Sequence, residues 1–183
     1  MNVITTPLEG LLILEPTIHK DDRGYFFESY NKLTLESKAG YSTAFVQDNQ
    51  ARSVKNVLRG LHYQNTPSPQ AKLIRVLEGS IWDVAVDIRK NSKTYKQWFG
   101  LELSAENKLQ LLIPHGFAHG YAVLTDTSEV FYKCDNYYNK AAEGGFFYSD
   151  PEIAVDWKIN LSDAIVSAKD QNQPLFIDTN NLF

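Results

Sequence analysis

The chain has 183 residues, a formal net charge of −4 and a single cysteine. A chain of this length is expected to form one domain, spanning residues 1–183, with a core of its own. The negative charge does not suggest nucleic acid or an anionic membrane as a partner. One cysteine excludes an internal disulfide and is typical of a reducing cytoplasm. The N-terminus lacks the features of a signal peptide, and no apolar run is long enough to span a membrane.

The order of apolar and turn residues predicts a chain built mainly of short strands. The aromatic share of 13% also favours strands. A helix is predicted over residues 31–40, capped by Asn31 and ended by Gly40, and a second over 162–169, with Ser162 or Asp163 as its cap. Residues 78–80 predict a hairpin turn. Together these signals indicate an all-β sandwich or barrel with two small helices. The predicted strands are residues 11–14, 25–30, 45–50, 57–64, 73–77, 81–88, 101–103, 109–114, 120–124, 129–134 and 154–157.

Two of these strands carry polar residues that are able to meet a ligand. Gln47 and Asn49 share one face of their strand, where they either bind a ligand or face water. In Val57–Gln64, His62 lies close to Arg59, which indicates a base beside an anion site. In an ideal strand Arg59 and His62 point to opposite faces. Either Gly60 marks a bulge, or the two side chains serve different parts of a pocket.

A histidine motif later in the chain indicates the fold more specifically. The spacing Pro114-x-Gly116-x-x-His119 resembles the second motif of the cupin superfamily, a double-stranded β-helix or jelly roll. Metal-binding cupins carry a His-x-His pair and a following glutamate in their first motif. Here the first motif is His62-Tyr63-Gln64 without that glutamate, and two histidines form a poor cage for Fe, Mn or Zn. The sequence therefore indicates a cupin without a metal, with His115 expected at the rim or surface.

Three further features have more than one explanation when each is considered alone. Tyr132 is either a core residue whose hydroxyl finds a partner or a member of a site. Lys169 and Asp170 form either a solvated pair or part of a site. Asp83, on the polar face of its predicted strand, is a candidate hydrogen-bond partner of His119.

Taken together, the motifs resemble the RmlC family, the dTDP-4-dehydrorhamnose 3,5-epimerases. They occur in the order of that family and cover nearly the whole chain. The resemblance implies an all-β, cupin-type double-stranded β-helix with a few short flanking helices. The matching segments are Asp22-Arg23-Gly24-Tyr25-Phe26-Phe27-Glu28, Gln47-Asp48-Asn49, Arg59-Gly60-Leu61-His62, Pro114–Gly120, Tyr132-Lys133, Asn136-Tyr137-Tyr138, Glu143-Gly144 and Ser167-Ala168-Lys169-Asp170.

The resemblance implies a cofactor-independent epimerisation in dTDP-L-rhamnose biosynthesis, a route to cell-surface polysaccharide. The substrate would be dTDP-4-dehydro-6-deoxy-D-glucose, inverted at C-3 and C-5 to dTDP-4-dehydro-L-rhamnose. Both carbons lie α to the C-4 ketone, so each proton can leave as the ketone becomes an enolate. By resemblance, His62 is the base and Asp170 orients it. Lys72 faces the C-4 oxygen, and Tyr132 is the acid on the opposite side of the sugar.

The same resemblance implies the binding residues and the assembly. Arg23, Arg59 and Lys169 would offset the charge of the diphosphate. Tyr138 would stack on thymine. A homodimer with an exchanged N-terminal segment is implied, and it remains open which subunit receives Arg23 and Glu28. The other expected contacts with nucleotide or sugar are Glu28, Gln47, Asp48, Asn49, His119 and Glu143.

Three other functions remain open from the sequence. A mono-epimerase that inverts only C-3 or C-5 would need the same base and a similar cavity. A metal-dependent cupin enzyme would use His62, His115 and His119, against which Gln64 and the missing glutamate argue. A nucleotide-sugar-binding module without catalysis would not need Tyr132 opposite His62.

Overall fold

The computed structural model describes residues 1–42, 44–180 and 183. Its helices are α1 (Lys32–Ala39) and α2 (Ala168–Gln171), with 3-10 turns at Leu161–Asp163 and Phe176–Asp178. None of the helices in the described ranges has the length and apolar character needed to cross a membrane. The strands are β1 (Asn2–Thr5), β2 (Leu12–Glu15), β3 (His19–Asp21), β4 (Gly24–Phe26), β5 (Gln47–Val54), β6 (Val57–Gln64), β7 (Lys72–Glu78), β8 (Ser80–Asp87), β9 (Trp98–Ser104), β10 (Gln110–Ile113), β11 (Phe117–Val123), β12 (Thr127–Cys134), β13 (Glu143–Gly145) and β14 (Ile165–Val166).

Two antiparallel sheets form the body of the fold. The first sheet has the strand order β1-β2-β10-β7-β12-β5, and the second has the order β13-β6-β11-β8-β9, with β14 added beside β6. From β5 to β8, and again from β9 to β13, consecutive strands belong to alternate sheets. This winding is that of a double-stranded β-helix, which confirms the predicted fold class.

Apolar side chains fill the space between the sheets at one end and cover both outer faces. Ile74 and Val130 of the first sheet pack with Ile81 of the second in the cluster between the sheets. Trp157 and Phe176, from the chain after β13, cover the outer face of the second sheet. The cluster between the sheets closes the interior at one end, so the other end of the space between the sheets is left for polar groups.

Helix α1 forms as its sequence predicts. Asn31 is extended, and its side-chain oxygen accepts the backbone N–H of Thr34 at 3.1 Å. Gly40 adopts the left-handed conformation, with φ of 66°, and its N–H binds the carbonyl of Glu36. An asparagine cap and a left-handed glycine satisfy groups that a helix leaves unpaired at its ends.

Several predicted elements differ from the observed ones. The predicted hairpin at residues 78–80 is wrong, because β7 and β8 lie in different sheets and Gly79 marks the crossing between them. Residues 154–157 form no strand. Trp157 is buried there, and its indole N–H donates to the carbonyl of Tyr148 at 2.8 Å. The predicted strand 25–30 shortens to β4, which pairs only with β3.

The predicted helix over residues 162–169 is also wrong. Ile165 pairs with Val57, and its N–H binds the carbonyl of Asn56, so the chain is extended there. The helix begins later, at α2, and its cap is Ser167 instead of Ser162 or Asp163. This pairing with β6 brings Lys169 and Asp170 back towards the middle of the second sheet.

Asp87 ties the end of β8 to the loop that follows it. Its side chain is 0% exposed and accepts hydrogen bonds from Arg89, Ser92 and Thr94. Burial alone would raise the pKa of Asp87, but these donors together hold it below the usual value. The carboxylate therefore stabilises the fold in its charged form.

We expect Asp87→Asn to lower the free energy of unfolding by about 2–4 kcal/mol at pH 7, because charged hydrogen bonds are lost in a buried site. A carboxyl group whose pKa is lowered by folding stabilises the folded state at pH values above its unfolded pKa of about 4. The loss should therefore shrink as the pH falls below that value. Urea unfolding of both proteins from pH 3 to 7 measures it.

Asp21→Asn is the matched control. Asp21 also pairs with an arginine two residues later, Arg23, but that pair is exposed. We expect no measurable change in the unfolding midpoint from this substitution. Equal losses in the two variants would contradict the role assigned to Asp87.

Candidate active site

A cavity of about 600 Å³ opens between the two sheets, at the end away from the core cluster. All but three of the predicted site residues line it. The first sheet and the segment after β12 contribute Gln47, Asn49, Lys72, Tyr132 and Tyr138, and the second sheet and α2 contribute Arg59, His62, His119, Glu143, Lys169 and Asp170.

An extra residue in β6 places Arg59 and His62 on the same side of the sheet. Along β11, His119 pairs with His62 and Tyr121 pairs with Arg59, so β6 spans the same distance with one residue more. Gly60 occupies the irregular position with φ of +125°. Of the two explanations that the sequence left open, the bulge is therefore correct, and both side chains face the cavity.

His62 is held by a buried carboxylate. Its Nε2 lies 2.6 Å from Oδ1 of Asp170, whose side chain is 4% exposed. The other carboxylate oxygen accepts the N–H of Gly60 at 3.3 Å. Burial would raise the pKa of Asp170, but the bonds from His62, Gly60 and Ser167 together lower it. An ionised Asp170 accepts the proton on Nε2, which leaves Nδ1 of His62 as the nitrogen that is able to take a proton.

A second histidine–carboxylate pair lies deeper in the cavity. Nε2 of His119 is 2.7 Å from Oδ1 of Asp83, which is 0% exposed. The contact predicted between these two residues is therefore present. Oδ2 of Asp83 and the hydroxyl of Tyr121 are buried without a hydrogen-bond partner among the described residues. The pair fixes the His119 ring at the wall of the cavity.

Lys72 and Tyr132 approach the cavity from the first sheet. Lys72 is paired with Cys134 across the strands, and Tyr132 lies two residues before Cys134, so all three share one face. Burial lowers the pKa of Lys72, and it raises the pKa of Tyr132 to about 12. The tyrosine hydroxyl therefore keeps its proton at neutral pH, and no carboxylate among the described residues lies within 4.0 Å of the lysine ammonium.

Polar residues at the mouth of the cavity are joined to one another. Glu143 accepts from Nζ of Lys169 at 2.5 Å and from the hydroxyl of Tyr138 at 3.3 Å. Burial would raise the pKa of Glu143, but these bonds lower it. The backbone N–H of Tyr138 donates to Gln47 at 3.0 Å. The mouth thus combines an exposed aromatic ring with a carboxylate and a lysine.

Several residues that line the cavity were not among the predicted site residues. The side chain of Gln64 donates to the carbonyl of Ser68 at 2.7 Å and accepts the N–H of Asn139 at 2.8 Å. It therefore fixes the loop that carries Tyr138. Tyr121 and Cys134 line the cavity as well. Each lies two positions after a predicted residue, His119 or Tyr132, so the strand period was the signal that could have found them.

Three predicted binding residues lie outside the cavity of their own chain. Arg23 pairs with Asp21, and its side chain is 90% exposed on the β3–β4 hairpin. Glu28 accepts the side-chain amide of Asn31 at 2.9 Å, beside α1. Asp48 alternates with Gln47 and Asn49 along β5, so it points to the opposite face and pairs with Lys133 at 2.9 Å.

His115 does not join His62 and His119 at the cavity. His115 binds Asp135 at 2.8 Å with 42% of its side chain exposed, and it is not among the residues that line the cavity. His62 and His119 are each bound to a different aspartate. Within the described part of the chain, no group of three or more His, Cys, Asp or Glu side chains is arranged to hold a metal ion.

Comparison with known proteins identifies a well-defined group of relatives. The family model described as dTDP-4-dehydrorhamnose 3,5-epimerase matches residues 5–178. The epimerase of that name from Escherichia coli K12 is 52% identical over 171 residues, covering 93% of this chain and 92% of the relative.

Solved structures give the same result. The crystal structure of dTDP-4-dehydrorhamnose 3,5-epimerase from Elizabethkingia anophelis is similar, with a TM-score of 0.95 and 52% identity over 98% of both chains. The Legionella pneumophila RmlC epimerase, solved in complex with dTDP-4-keto-L-rhamnose, has a TM-score of 0.91 and 46% identity, covering 95% of this chain and 92% of that one.

We expect Gly60→Ala to lower the free energy of unfolding far more than the same substitution at a glycine with open space around it. A Cβ at Gly60 would lie 2.6 Å from Cα of Gly120 and 2.8 Å from the carbonyl oxygen of His119. Both neighbours are backbone, so β6 and β11 must separate, at a cost of about 3 kcal/mol or more. Urea unfolding measures this loss.

Gly40→Ala is the control, because Gly40 also has a positive φ, 66°, but an added Cβ would meet nothing within 4 Å. Its expected loss is about 1 kcal/mol, from backbone strain alone. Similar losses at the two positions would show that the close approach of the strands at Gly60 is unimportant.

Proposed function

This chain belongs to the family of dTDP-4-dehydrorhamnose 3,5-epimerases, and from that premise we propose how its cavity performs the reaction. The enzyme is an isomerase that converts dTDP-4-dehydro-6-deoxy-D-glucose to dTDP-4-dehydro-L-rhamnose in dTDP-L-rhamnose biosynthesis. A mono-epimerase is not favoured, since relatives about half identical to this chain are 3,5-epimerases. The observation that carries the residue assignment is the pair of His62 with the buried Asp170, which faces Lys72 and Tyr132 across one cavity.

His62 removes the proton in each half of the reaction. Nδ1 takes the proton from the sugar carbon next to the ketone, and the C–H bonding electrons move into the forming enolate. The imidazolium that results is stabilised by Asp170, whose carboxylate already accepts the proton on Nε2 at 2.6 Å. The lowered pKa of Asp170 supports this role, because the carboxylate is ionised at neutral pH.

Lys72 stabilises the enolate oxygen. Its ammonium has no carboxylate close enough to form an ion pair among the described residues, so its charge is available to the C-4 oxygen. A preorganised donor of this kind can lower a barrier by on the order of 3 kcal/mol. The strand position of Lys72, on the sheet opposite His62, supports an approach to the ketone from the other side of the cavity.

Tyr132 returns a proton to the face of the sugar opposite His62. Its pKa of about 12 means that it holds its proton until a strongly basic carbon is present. An enolate carbon is such a base. Proton removal by His62 at one face and delivery by Tyr132 at the other inverts C-5. At C-3 His62 again removes the proton, and the enolate carbon takes a proton from solvent on the opposite face. After each step His62 releases its proton to solvent, and Tyr132 regains the proton that it delivered from solvent.

The remaining cavity residues bind the rest of the substrate. Arg59 and Lys169 contribute positive charge for the diphosphate, and Arg59 is held by two hydrogen bonds to Ser53. Tyr138, 56% exposed at the mouth, provides a ring on which thymine stacks. Gln47, Asn49, His119 and Glu143 supply polar contacts with the nucleotide and the sugar.

The protein acts as a homodimer in which the N-terminal segment is exchanged. Support comes from the β3–β4 hairpin, where Phe26 is 71% and Tyr25 is 58% exposed. Exposed aromatic side chains next to one another are typical of interaction surfaces. Arg23 and Glu28, which lie outside the cavity of their own chain, would then contact the substrate in the partner's cavity.

We further propose that residues 1–183 form one domain and that the enzyme is cytoplasmic, as its single cysteine suggests.

Incubation with dTDP-4-keto-6-deoxyglucose in deuterated water tests the residue roles. The wild-type enzyme should introduce deuterium at both C-3 and C-5. Asp170→Asn should reduce the rate at both carbons by roughly 10²–10⁴-fold, because the base loses its orienting carboxylate. Tyr132→Phe, which removes only a hydroxyl, should lower C-5 inversion more than C-3 exchange. Position-resolved mass spectrometry or NMR measures both.

Asp156→Asn, at an exposed carboxylate outside the cavity, serves as the control and should retain wild-type exchange. Wild-type exchange in Asp170→Asn would refute the orienting role of Asp170. Label at a single carbon with the wild-type enzyme would instead identify a mono-epimerase.

Hybrid dimers test the exchanged segment. Arg23→Ala and His62→Ala homodimers should each be poorly active, the first because the diphosphate loses a cation. Co-expression should restore activity, since a hybrid contains one cavity with an intact His62 and an Arg23 from its partner. No gain on co-expression, or a monomer mass in sedimentation equilibrium, would contradict the exchange.

A further inference from the structure

A buried carboxylate outside the cavity holds the end of the strand that carries Lys72. Asp135 follows the last residue of β12, and its side chain is 1% exposed. Its Oδ1 accepts the backbone N–H of Ala71, the residue before Lys72, at 2.7 Å. Its Oδ2 lies 2.8 Å from Nε2 of His115 and 3.0 Å from the hydroxyl of Tyr41. One carboxylate thus joins the start of β7, the turn before β11 and the segment after α1.

The position of Asp135 also matters for the charge of Lys72. Burial lowers the pKa of Lys72, and the negative charges of Asp135 and Asp83 act in the opposite direction. The two carboxylates of this set are each bound to a histidine, Asp83 to His119 inside the cavity and Asp135 to His115 outside it. Lys72 is therefore supported at longer range by two carboxylates instead of by a direct ion pair.

We propose that Asp135 is a positioning residue for the epimerisation, which anchors the end of β7 and supports the positive charge of Lys72 from outside the cavity. The proposal rests on the role proposed above for Lys72. It also gives His115 a function: its ring binds the carboxylate at the outer side and keeps it directed at the start of β7. Tyr41 donates to the same oxygen and restrains it further.

The other charged or titratable groups around Lys72 belong to the cavity itself. Strand β10, which pairs with β7 on the other side, has no titratable side chain, and the turn after it supplies only His115. Removal of the Asp135 charge therefore changes one of the two carboxylates that act on Lys72 at longer range, the other being Asp83 on β8. The titratable groups that line the cavity with Lys72 are Arg59, His62 and Tyr63 on β6, His119 and Tyr121 on β11, Tyr132 and Cys134 on β12, Tyr138, Glu143 on β13, and Lys169 and Asp170 on α2.

Asp135→Asn removes the negative charge and keeps the size and shape of the side chain. The amide oxygen still accepts the N–H of Ala71, but the negative charge is lost. Without that charge the Lys72 ammonium loses its proton more easily, so the pKa of Lys72 falls. Because the reaction needs the charged form, the decline of kcat on the alkaline side should move to lower pH. A residue that only stabilised the fold would not move it.

The test measures Lys72 directly and through activity. In protein labelled with ¹³C at lysine Cε, the Lys72 signal is identified by its loss in Lys72→Arg and is followed against pH. We expect Asp135→Asn to lower its midpoint by about half a pH unit or more, and the alkaline limb of kcat to shift by a similar amount. A shift of half a unit lowers the charged fraction of Lys72 by at most about threefold, so kcat at neutral pH should fall by up to about threefold, and KM should change by less than about twofold.

A second variant keeps the test decisive if Asp135→Asn does not fold. His115→Lys places a permanent cation against Asp135 at a side chain that is 42% exposed. It should also lower the titration midpoint of Lys72, because the new cation partly cancels the negative charge of Asp135. Asp150→Asn is the matched control, because Asp150 is a buried carboxylate that accepts the backbone N–H groups of Glu152, Ile153 and Phe176. It should leave the midpoint unchanged.

The outcomes separate this inference from the function on which it rests. An unchanged Lys72 midpoint in both Asp135→Asn and His115→Lys would overturn the inference. A shifted midpoint without a shifted kcat profile would contradict the role of Lys72 in the reaction, and with it the positioning role of Asp135. A midpoint that shifts equally in Asp150→Asn would show that the effect is general instability.

Discussion

The extra residue in β6 is the constraint on which the rest of the site depends. Without it, Arg59 and His62 would point to opposite faces of the second sheet, and the anion-binding group and the base would be separated. Gly60 permits the irregularity because it has no side chain where the strands nearly touch. A Cβ there would lie 2.6 Å from Cα of Gly120, which is too close for any other residue. The N–H of Gly60 also reaches Asp170, so the bulge positions the carboxylate that binds His62.

Three of the buried carboxylates are paired with histidines. Three aspartates with side chains at most 4% exposed, Asp83, Asp135 and Asp170, are each bound to a histidine. Buried carboxylates need such partners, because an isolated charge in a poorly hydrated site is costly. Lys72 is the exception, a cation without an ion-pair partner among the described residues. Its charge is therefore available to a group bound in the cavity.

Much of the fold was predictable where local rules agree with the tertiary structure. Asn31 and Gly40 delimit α1 through caps that operate within a few residues. The errors lie where distant partners decide. The turn at Gly79 has a hairpin sequence, yet its two strands belong to different sheets. Residues near Ile165 have a helical pattern, but pairing with β6 extends them and moves the helix start to Ser167.

The sequence by itself determined the all-β class through strand periodicity and turn signals. Its motifs, through their resemblance to a known family, also indicated the cupin winding and most of the residues that line the cavity. Only the tertiary structure decided which of them meet. It brought Asp170 to His62 through β14, turned Asp48 away from the cavity, left Arg23 and Glu28 outside it, and gave His115 a partner in Asp135. Contacts between residues far apart in the chain depend on strand register and crossing, which no local pattern encodes.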